Sequence, residues 1–360
     1  MLNNVPLSVV MFDAAYPPPV IGGKEKQAHL LAKELVSLGV KVHVISCRHK
    51  GNIRSSYFEG VYVDRLRQNI FLPFTLFFKL LKSRMRCRIL HIHTPSRIGR
   101  IATIFGKFLG FSVVFKFPGQ SLIKYTGIVD RLSWNIVLKF SSALVVLESD
   151  TYEKLCQMEV DPSRIKKMSN GVILGQKNVL KSHSVIQIIF VGRLVELKRC
   201  VDLINACSLL KAKGVKFSLR IVGEGPERKM LELLIVDLGL ECHVVFEGHV
   251  ENTVSIMAEA DILVLPSRTE GMSNVILEAM SIGLPVISTD VGAARTLLGE
   301  CGLQFTLPPF RPDLLSEILE NLINDDQLRF DYSENLFLRC RKKFSINAIS
   351  KEYKKMYDRL

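Results

Sequence analysis

The strongest constraint on the fold is a rhythm of short β-branched runs and longer amphipathic stretches, which the chain goes through twice. The first half contains LSVVMF, KQAHLLAKELVSLG and VKVHVISC, followed later by RILHIH, SVVFKF and ALVVLES. From Ser184 the rhythm restarts with VIQIIFVG, VDLINACSLLKAKG and FSLRIVG. Strands that alternate with helices form βαβ units around a mostly parallel sheet. The sequence therefore predicts an α/β fold with two Rossmann-like domains.

The length of the chain agrees with two domains, because 360 residues exceed what one hydrophobic core usually serves. A polar stretch at 169–184 separates the halves. We expect an N-terminal domain over 1–178 and a C-terminal domain over 179–344. The final segment, 345–360, is predicted to be an amphipathic helix that packs back on the N-terminal domain. Its apolar side is formed by Ile346, Ile349, Tyr353, Met356 and Tyr357.

Composition limits where the protein works. Hydrophobic residues make up 48% of the chain, but no uncharged apolar run approaches the ~20 residues that cross a bilayer. The N-terminus lacks the basic start and long apolar stretch of a secretory signal. The eight cysteines form no CxxC pair and no zinc-like spacing, so we expect free thiols and no metal site. These features predict a cytoplasmic protein, with peripheral attachment at the inner face of the cell membrane as an option.

The positive charge lies entirely in the first half of the chain. Residues 1–180 contain 26 basic and 11 acidic residues, a net charge of +15, whereas the remainder has a net charge of −2. No acidic residue occurs between Asp64 and Asp130, while twelve basic residues run from Arg65 to Lys124. Such a field predicts an anionic partner for the first half.

Two carboxylates, Glu270 and Glu278, lie eight positions apart in the stretch SRTEGMSNVILEAMSIGLPVIS. Ser273 or Asn274 is a good N-cap, so the helix is predicted to start near Asn274 and to leave Glu270 in the preceding loop. A helix start offers unpaired amides and a positive dipole end to a phosphate, and the flanking carboxylates accept hydrogen bonds from hydroxyl groups. A phosphate between two hydroxyl-bearing groups describes a nucleotide sugar.

Basic residues and glycines follow two other strands of the same half. In FVGRLVELKR, Arg193 and Lys198 come after a strand, at the end where α/β sheets bind ligands. Two cations in one loop can bind a diphosphate together. In LRIVGEGPER, Gly223 and Gly225 either allow a close backbone approach to a ligand or simply form a tight turn.

The stretches VGRLVELK, IVGEGPE and ADILVLPSRTEGMSNVILEAMSIGLPVISTDVG, with a GG loop near the N-terminus, resemble the family-four retaining glycosyltransferases of GT-B fold. The similarity spans essentially the full length and is densest over 187–300. It implies two Rossmann-like domains that face each other across a cleft. The first would bind the acceptor, and the second would bind the nucleotide-sugar donor.

The resemblance also implies a role for each matching residue. Arg193 and Lys198 would hold the donor diphosphate and neutralise the leaving group, and Glu270 would bind hydroxyls of the donor sugar. Glu278 would bind the hydroxyls of the ribose. The rest of the donor site in this half would be Gly223, Gly225, Gly271, Met272, Ser273 and Asn274.

The N-terminal half would add a glycine loop to the donor site. Gly22 and Gly23, in PPPVIGGKEKQ, match the family's N-terminal glycine loop, which closes over the phosphates from the other domain.

The acceptor side departs from the family at one position. Many members end the strand before the cleft with a histidine near the donor sugar, whereas SVVFKFPGQ has Pro118 there. That role is vacant, or Lys116 or Gln120 fills it. The family places an HxH at a strand end beside the acceptor, so His93 of RILHIHTP is expected to contact the acceptor, and a metal bound by His91 and His93 is not expected.

The resemblance implies a transferase that retains the donor's α configuration and needs no cofactor, metal or protein nucleophile. We expect a UDP-linked donor and a lipid-linked saccharide acceptor from cell-surface polysaccharide synthesis. Transfer to a soluble small molecule is the alternative within enzymes. A nucleic-acid-binding protein would explain the net charge of +13, but base-stacking aromatics are not interleaved with the basic residues. A nicotinamide oxidoreductase would need a full GxGxxG motif, which GEGPE lacks.

The segment 71–88, FLPFTLFFKLLKSRMRCR, mixes large apolar side chains with basic ones. It is either a helix that lies in an anionic membrane surface or an ordinary domain helix with a solvated basic face. The lack of acidic residues in this region favours the membrane slightly.

Overall fold

The computed structural model describes most of the chain. The described residues are 7–18, 22–49, 53–93, 95–117, 119, 127–177 and 185–360. They form two compact units: the N-terminal unit, Met1–Gly171 with Ile346–Leu360, and the C-terminal unit, Val172–Ser345. Each unit is an α/β sandwich around its own sheet.

The N-terminal unit contains an eight-stranded sheet in the order β3-β4-β2-β1-β5-β6-β7-β8. All neighbours are parallel except β3, which pairs antiparallel with β4 at the edge. The strands are β1 (Ser8–Asp13), β2 (Lys41–Arg48), β3 (Ser55–Phe58), β4 (Val61–Arg67), β5 (Ile89–Ile92), β6 (Ser112–Phe117), β7 (Ala143–Val146) and β8 (Ile165–Lys167). The helices between them are α1 (Gly23–Ser37), α2 (Leu72–Arg84), α3 (Arg97–Phe108), α4 (Ile128–Phe140) and α5 (Ser149–Gln157).

Both faces of this sheet are buried, which explains why its central strands are continuous apolar runs. Along β1, Val10 and Phe12 join one core cluster with Leu76 and Leu80 of α2, while Val9 and Met11 join the cluster on the opposite face. The alternation follows from the period of two residues in a strand.

The C-terminal unit contains a six-stranded parallel sheet in the order β11-β10-β9-β12-β13-β14. The strands are β9 (Ile186–Val191), β10 (Phe217–Val222), β11 (Val244–Gly248), β12 (Ile262–Leu265), β13 (Val286–Thr289) and β14 (Thr306–Leu307). The helices are α6 (Cys200–Ala212), α7 (Arg228–Asp237), α8 (Thr253–Met257), α9 (Asn274–Ser281), α10 (Ala294–Leu298), α11 (Pro312–Asn324) and α12 (Asp326–Lys343).

The last helix, α13 (Ile346–Asp358), belongs to the N-terminal unit and packs against α1. Its contacts include Asn347 Nδ2 donating to Glu34 Oε1 at 2.8 Å and a 2.6 Å hydrogen bond between Tyr357 Oη and His91 Nδ1. The apolar side predicted from the sequence is buried: Ile346, Ile349, Tyr353, Met356 and Tyr357.

The chain leaves the N-terminal unit after Gly171, seven residues before the predicted boundary at 178/179, and returns at Ile346. Gln27 of α1 holds the exit point, because its amide Nε2 donates to the carbonyl of Gly171 at 2.9 Å and its Oε1 accepts from the amide of Gly171 at 3.1 Å. This pair of hydrogen bonds satisfies the backbone donor and the backbone acceptor of a buried residue. A single glutamine 144 residues away gives no pattern that a sequence reading can detect.

None of the helices that the structure describes is both long and apolar enough to span a bilayer. The eight cysteines all lie in described residues and are free thiols, which agrees with the sequence prediction.

Candidate functional site

The sheet of the C-terminal unit places two loops side by side at its carboxyl edge. The chain runs from β9 outward through β10 to β11, and then adds β12 on the other side of β9. The topological switch point therefore lies between β9 and β12, where open α/β sheets bind ligands. Arg193 and Lys198 lie in the loop 192–199 after β9, and Glu270 lies in the loop 266–273 after β12.

Lys198 and Glu270 form an ion pair across this switch point. Nζ of Lys198 donates to Oε1 of Glu270 at 2.5 Å, and Oγ of Ser267 donates to the same oxygen at 2.7 Å. The side chains are 24% and 13% exposed, so the pair stays within reach of a ligand. The amide of Arg268 donates to the carbonyl of Leu197 at 2.9 Å and ties the two loops together. The structure thus brings two of the predicted catalytic residues into contact.

Arg193 lies two residues after the end of β9 and has an exposed side chain. Within the described part of the chain, its guanidinium makes no hydrogen bond or ion pair. The aliphatic stem of Lys198 passes beside the preceding residue, because a Cβ on Gly192 would lie 3.9 Å from Cδ of Lys198. Arg193 and Lys198 therefore lie in the same loop, and the N–H donors of Arg193 are available to an anion there.

Helix α9 begins at Asn274, as the sequence predicts. Ser273 is its N-cap, with Oγ accepting from the amide of Ile276 at 3.4 Å. Met272 and Ser273 are buried, and Gly271 is half-buried. The carbonyl of Gly271 accepts from the amide of Ala293 at 3.0 Å. The hydrogen bond from Ala293 therefore holds the turn 271–273 in place. The amide end of α9 follows β12 at the carboxyl edge of the sheet.

Glu278 lies one turn inside α9 and is 9% exposed. Its Oε2 accepts from Oγ1 of Thr253 at 2.8 Å, and Thr253 begins α8, after β11. Glu270, in contrast, is bound by Lys198 in the loop after β9. The two glutamates are thus held by different elements, which is compatible with two separate hydroxyl-binding roles.

The predicted glycines Gly223 and Gly225 lie in the loop after β10 and pack against the loop after β9. A Cβ on Gly223, where φ is +135°, would lie 1.9 Å from the carbonyl oxygen of Gly192, and one on Gly225 would lie 2.2 Å from that of Leu194. The amide of Leu194 donates to the carbonyl of Glu224 at 3.0 Å across the same contact. These glycines allow two backbones to touch, and this contact holds the loop of Arg193. Their contact with a donor stays a prediction.

The sequence did not point to three residues that contact the predicted site: Thr253, Ser267 and Gly292. Gly292 has φ of +58°, and a Cβ there would lie 2.3 Å from the carbonyl oxygen of Glu270. Gly292 is the last residue of the stretch that ends in PVISTDVG, so the family resemblance already included this position. Ser267 lies three residues before Glu270, at a strand end. Thr253 lies 25 residues before Glu278 and carries no motif.

In the N-terminal unit, the predicted glycine loop lies at the start of α1. Gly22 is the N-cap with an extended φ of −176°, and α1 begins at Gly23. The carbonyl of Gly22 accepts from the amide of Lys26 at 3.2 Å. The loop follows β1, at the carboxyl edge of its sheet. The contact of both glycines with donor phosphates stays a prediction.

Two of the acceptor-side candidates, His93 and Lys116, lie close to the switch point of the N-terminal sheet, which falls between β1 and β5. His93 follows β5, and its amide donates to the carbonyl of Phe12 at 2.9 Å. Lys116, in β6, is 5% exposed and donates from Nζ to Oδ1 of Asn170 at 3.0 Å. Gln120 and Pro118 lie outside the described residues.

Burial sets the protonation of this cluster. Desolvation lowers the pKa of Lys116 to about 8, against a smaller opposite effect of Asp13. Burial also holds the pKa of His91 and that of His93 well below the usual range, and the charge of Lys116 adds to both effects. The two imidazoles, whose ring centres are 4.0 Å apart, are therefore neutral near pH 7. Within the described parts of the chain, no group of three or more potential ligands is arranged to hold a metal ion.

Two Rossmann-like units in one chain, each with polar groups at the switch point of its sheet, define the GT-B class of glycosyltransferase folds. A similar fold occurs in Anabaena Alr3699/HepE in complex with UDP, with a TM-score of 0.81 at 18% identity over 98% of this chain and 100% of that one. At this identity, the likeness concerns the fold.

Family models cover both units. Residues 176–338 match the model described as "Glycosyl transferases group 1", and residues 21–176 match "Glycosyltransferase Family 4". The chain belongs to the family-four glycosyltransferases.

Relatives with assigned activities differ in how much of their length is matched. The chain is 30% identical to the alpha-D-kanosaminyltransferase of Streptomyces kanamyceticus over 47% of this chain and 45% of that protein. It is 26% identical to the N-acetylgalactosamine-N,N'-diacetylbacillosaminyl-diphospho-undecaprenol 4-alpha-N-acetylgalactosaminyltransferase of Campylobacter jejuni over 89% of this chain and 92% of that protein. The match thus spans less than half of the kanosaminyltransferase but nearly all of the second relative.

The contact made by Gly225 predicts a steric effect on stability. We expect Gly225→Ala to lower the free energy of unfolding by about 1–3 kcal/mol or more, because the new methyl group overlaps the carbonyl of Leu194. Gly127→Ala is the control, since a Cβ there meets no other described residue within 4 Å. Urea denaturation of both variants measures the effect. Equal stability of the two variants would contradict the loop contact.

The burial of Lys116 predicts a pH effect. Its pKa is about 8 in the folded protein against an ordinary 10.5, so the unfolded chain binds more protons in this interval and stability rises with pH there. Lys116→Met removes this rise. We expect the unfolding free energy of wild type relative to the variant to increase by about 2–3 kcal/mol from pH 7 to pH 10. Lys24→Met, which removes a lysine charge at an exposed position, is the control. A flat difference for Lys116→Met would mean that the ammonium of Lys116 is solvated.

Proposed function

We propose that the protein is a retaining glycosyltransferase that moves a sugar from a UDP-linked donor to a lipid-linked saccharide at the cytoplasmic face of a membrane. The Lys198–Glu270 ion pair at the switch point of the C-terminal sheet carries this proposal. It joins a cation for a phosphate to a carboxylate for a sugar hydroxyl within 2.5 Å. The resemblance found in the sequence assigns these two roles to the same two residues.

A donor diphosphate fits the charges of this site. Lys198 and Arg193 come from one loop, and the amide end of α9 supplies further donors. A diphosphate that takes the ammonium of Lys198 leaves the Glu270 carboxylate to accept hydrogen bonds from sugar hydroxyls. The existing ion pair keeps both charged groups positioned before the donor binds, which reduces the reorganisation needed in the transition state.

In the proposed transfer, the bond from the anomeric carbon to the diphosphate breaks while the acceptor oxygen attacks the same face of the sugar. The leaving phosphate oxygen takes the proton of the acceptor. Negative charge grows on that oxygen, so Lys198, Arg193 and the α9 amides lower the barrier by stabilising it. This route needs no metal ion and no protein nucleophile.

Glu278 is proposed to bind the ribose of the donor. Its carboxylate is already oriented by Thr253 at 2.8 Å, so a bidentate contact with two neighbouring hydroxyls would cost little conformational entropy. Glu270 and Glu278 would then recognise the two sugars on either side of the diphosphate.

A lipid-linked acceptor is supported by one relative and by charge. The Campylobacter jejuni relative, which matches over 92% of its length, is named for a diphospho-undecaprenol acceptor. Residues 1–180 carry a net charge of +15, which suits the diphosphate of such an acceptor and an anionic membrane surface.

The outer face of α2 supports attachment to a membrane. Leu76 and Leu80 of this helix are buried in the core of the N-terminal unit, while Phe74 and Phe78 on the other side are 65% and 63% exposed. The full exposed row is Phe71, Phe74, Phe78, Leu81 and Met85. Both sequence interpretations of this segment are therefore compatible with the structure, because one face belongs to the domain core and the opposite face is apolar and open.

The donor site predicts two different kinetic losses. Lys198→Ala should lower kcat by about 10²–10³-fold, because it removes a cation from the leaving group. Glu278→Ala should chiefly weaken donor binding, through the ribose. A panel of UDP-, GDP- and ADP-sugars scored by thermal shift identifies the donor first, since a ligand of the native state raises its stability. Initial rates of transfer with that donor then separate the two effects.

Lys216→Ala is the matched control for Lys198→Ala. Lys216 is exposed and precedes β10, at the opposite edge of the same sheet, so its loss should leave turnover unchanged. Normal turnover in Lys198→Ala and normal donor binding in Glu278→Ala would together refute the assignment.

The apolar row of α2 predicts membrane binding. We expect Phe74→Ser with Phe78→Ser to reduce sedimentation with vesicles that contain phosphatidylglycerol by about tenfold or more, because two buried aromatic contacts with lipid are lost. Leu233→Ser with Val236→Ser, on an exposed face of α7, is the control. Full activity on a soluble acceptor with no vesicle binding by wild type would favour the alternative, a soluble small-molecule acceptor.

A further inference from the structure

A cavity of about 320 Å³ lies in the N-terminal unit, away from the predicted donor and acceptor residues. Its wall includes Ser8 and Lys41, which begin β1 and β2, and Cys87, which precedes β5. It therefore opens at the amino edge of the sheet, opposite the carboxyl edge that carries His93. Its volume is at the lower end of the range of small-molecule sites, ~300–1,000 Å³.

Among the described residues that line the cavity, one is acidic, Asp64, and its carboxylate has several hydrogen-bond partners. Its carboxylate accepts from Lys79 Nζ at 2.5 Å and Ser55 Oγ at 2.7 Å, and lies 2.8 Å from Nε2 of His43. Burial raises the pKa of Asp64, but the hydrogen bonds of His43, Lys79 and Ser55 outweigh it and hold that pKa well below its usual range. Asp64 thus stays ionised and fixes Lys79 in the wall.

Three further cations line the cavity: Lys41, Lys82 and Arg86. All three are exposed, and within the described residues none has an acidic or hydrogen-bonding side-chain partner. Asp64 offsets only the charge of Lys79. The described wall of the cavity therefore carries three uncompensated positive charges, whose mutual repulsion an anion would relieve.

We propose that this cavity binds a phosphate group, through Lys41, Lys82 and Arg86 with Lys79 held at its inner wall by Asp64. Two ammonium groups and a guanidinium fork suit the oxygens of a phosphate mono- or diester. The volume also leaves room for a glycerol attached to the phosphate.

The position on α2 connects the cavity with the exposed apolar row. Lys79, Lys82 and Arg86 each follow a member of that row, Phe78, Leu81 and Met85, by one residue. One residue rotates a helix by ~100°, so Lys79 and Lys82 lie on the flank of the apolar row, and Arg86 follows two residues after the end of the helix. An anionic phospholipid with its phosphate in the cavity would have its acyl chains next to these apolar side chains. A free phosphate ester has the same binding chemistry without the chains.

Two arms of one experiment test the site and separate the sources. In the first, amine acylation of the wild-type chain is mapped with and without sn-glycerol 3-phosphate. We expect protection of Lys41 and Lys82 but not of Lys107 and Lys139, which are exposed and lie near the ends of α3 and α4, at the same edge of the sheet.

In the second arm, Lys82→Gln with Arg86→Gln is compared with Lys107→Gln with Lys139→Gln in sedimentation with phosphatidylcholine vesicles, with and without phosphatidylglycerol. Both pairs remove two positive charges. We expect the first pair to lose binding to the anionic vesicles by about tenfold or more, and the second by a small factor.

Selective protection together with a selective loss on vesicles assigns a lipid phosphate to the site. Protection alone assigns a free phosphate ester, and the vesicle effect alone assigns a headgroup that binds only in the bilayer. If the two pairs of substitutions lower vesicle binding equally and no lysine is selectively protected, the proposed site is wrong. The vesicle binding then comes from the overall positive charge of the surface. Both arms measure binding in the absence of donor and acceptor. A negative result in either arm therefore leaves the proposed sugar transfer unaffected.

Discussion

The predicted donor site depends on a contact between two backbones with no side chain between them. The loops after β9 and β10 lie so close that a Cβ on Gly223 would come within 1.9 Å of the Gly192 carbonyl. Gly223 and Gly225 therefore fix the position of the loop after β9, which carries Arg193 and Lys198. The ion pair with Glu270 closes the arrangement from the β12 side. Because this framework is backbone, it is stiff before any ligand arrives, as electrostatic stabilisation of a transition state requires.

Both sheets place polar side chains near their switch points, but the two environments differ. In the C-terminal unit the residues there are half-exposed and charged, with Lys198 against Glu270. In the N-terminal unit they are buried, and desolvation keeps His91 and His93 neutral. The net charge of residues 1–180 is +15. Among the described cations of this half, Lys82 and Arg86 are exposed at the flank of α2, whereas Lys116 is buried beside the two histidines.

The sequence predicted the features that depend on local pattern. The two Rossmann-like sheets, the start of α9 at Asn274 and the buried side of α13 all follow from periodicity and capping, and the structure agrees with them. It did not predict contacts between distant positions. Asn170 binds Lys116 from 54 residues away, and Thr253 orients Glu278 from another helix. Such pairs leave no spacing signal in one sequence, because either partner is an ordinary polar residue on its own.

The attachment of α13 to the N-terminal unit has a consequence for biosynthesis. Tyr357 completes the hydrogen bond of His91, and the two residues are separated by 266 positions. The ribosome must therefore deliver the whole intervening stretch, Val172–Ser345, before the first unit can close its core. During translation the C-terminal unit can fold as a continuous piece, while the side of α1 that packs against α13 is still uncovered. Nascent chains of this architecture should thus expose apolar surface for longest near their oldest segment, which is where a chaperone would be needed.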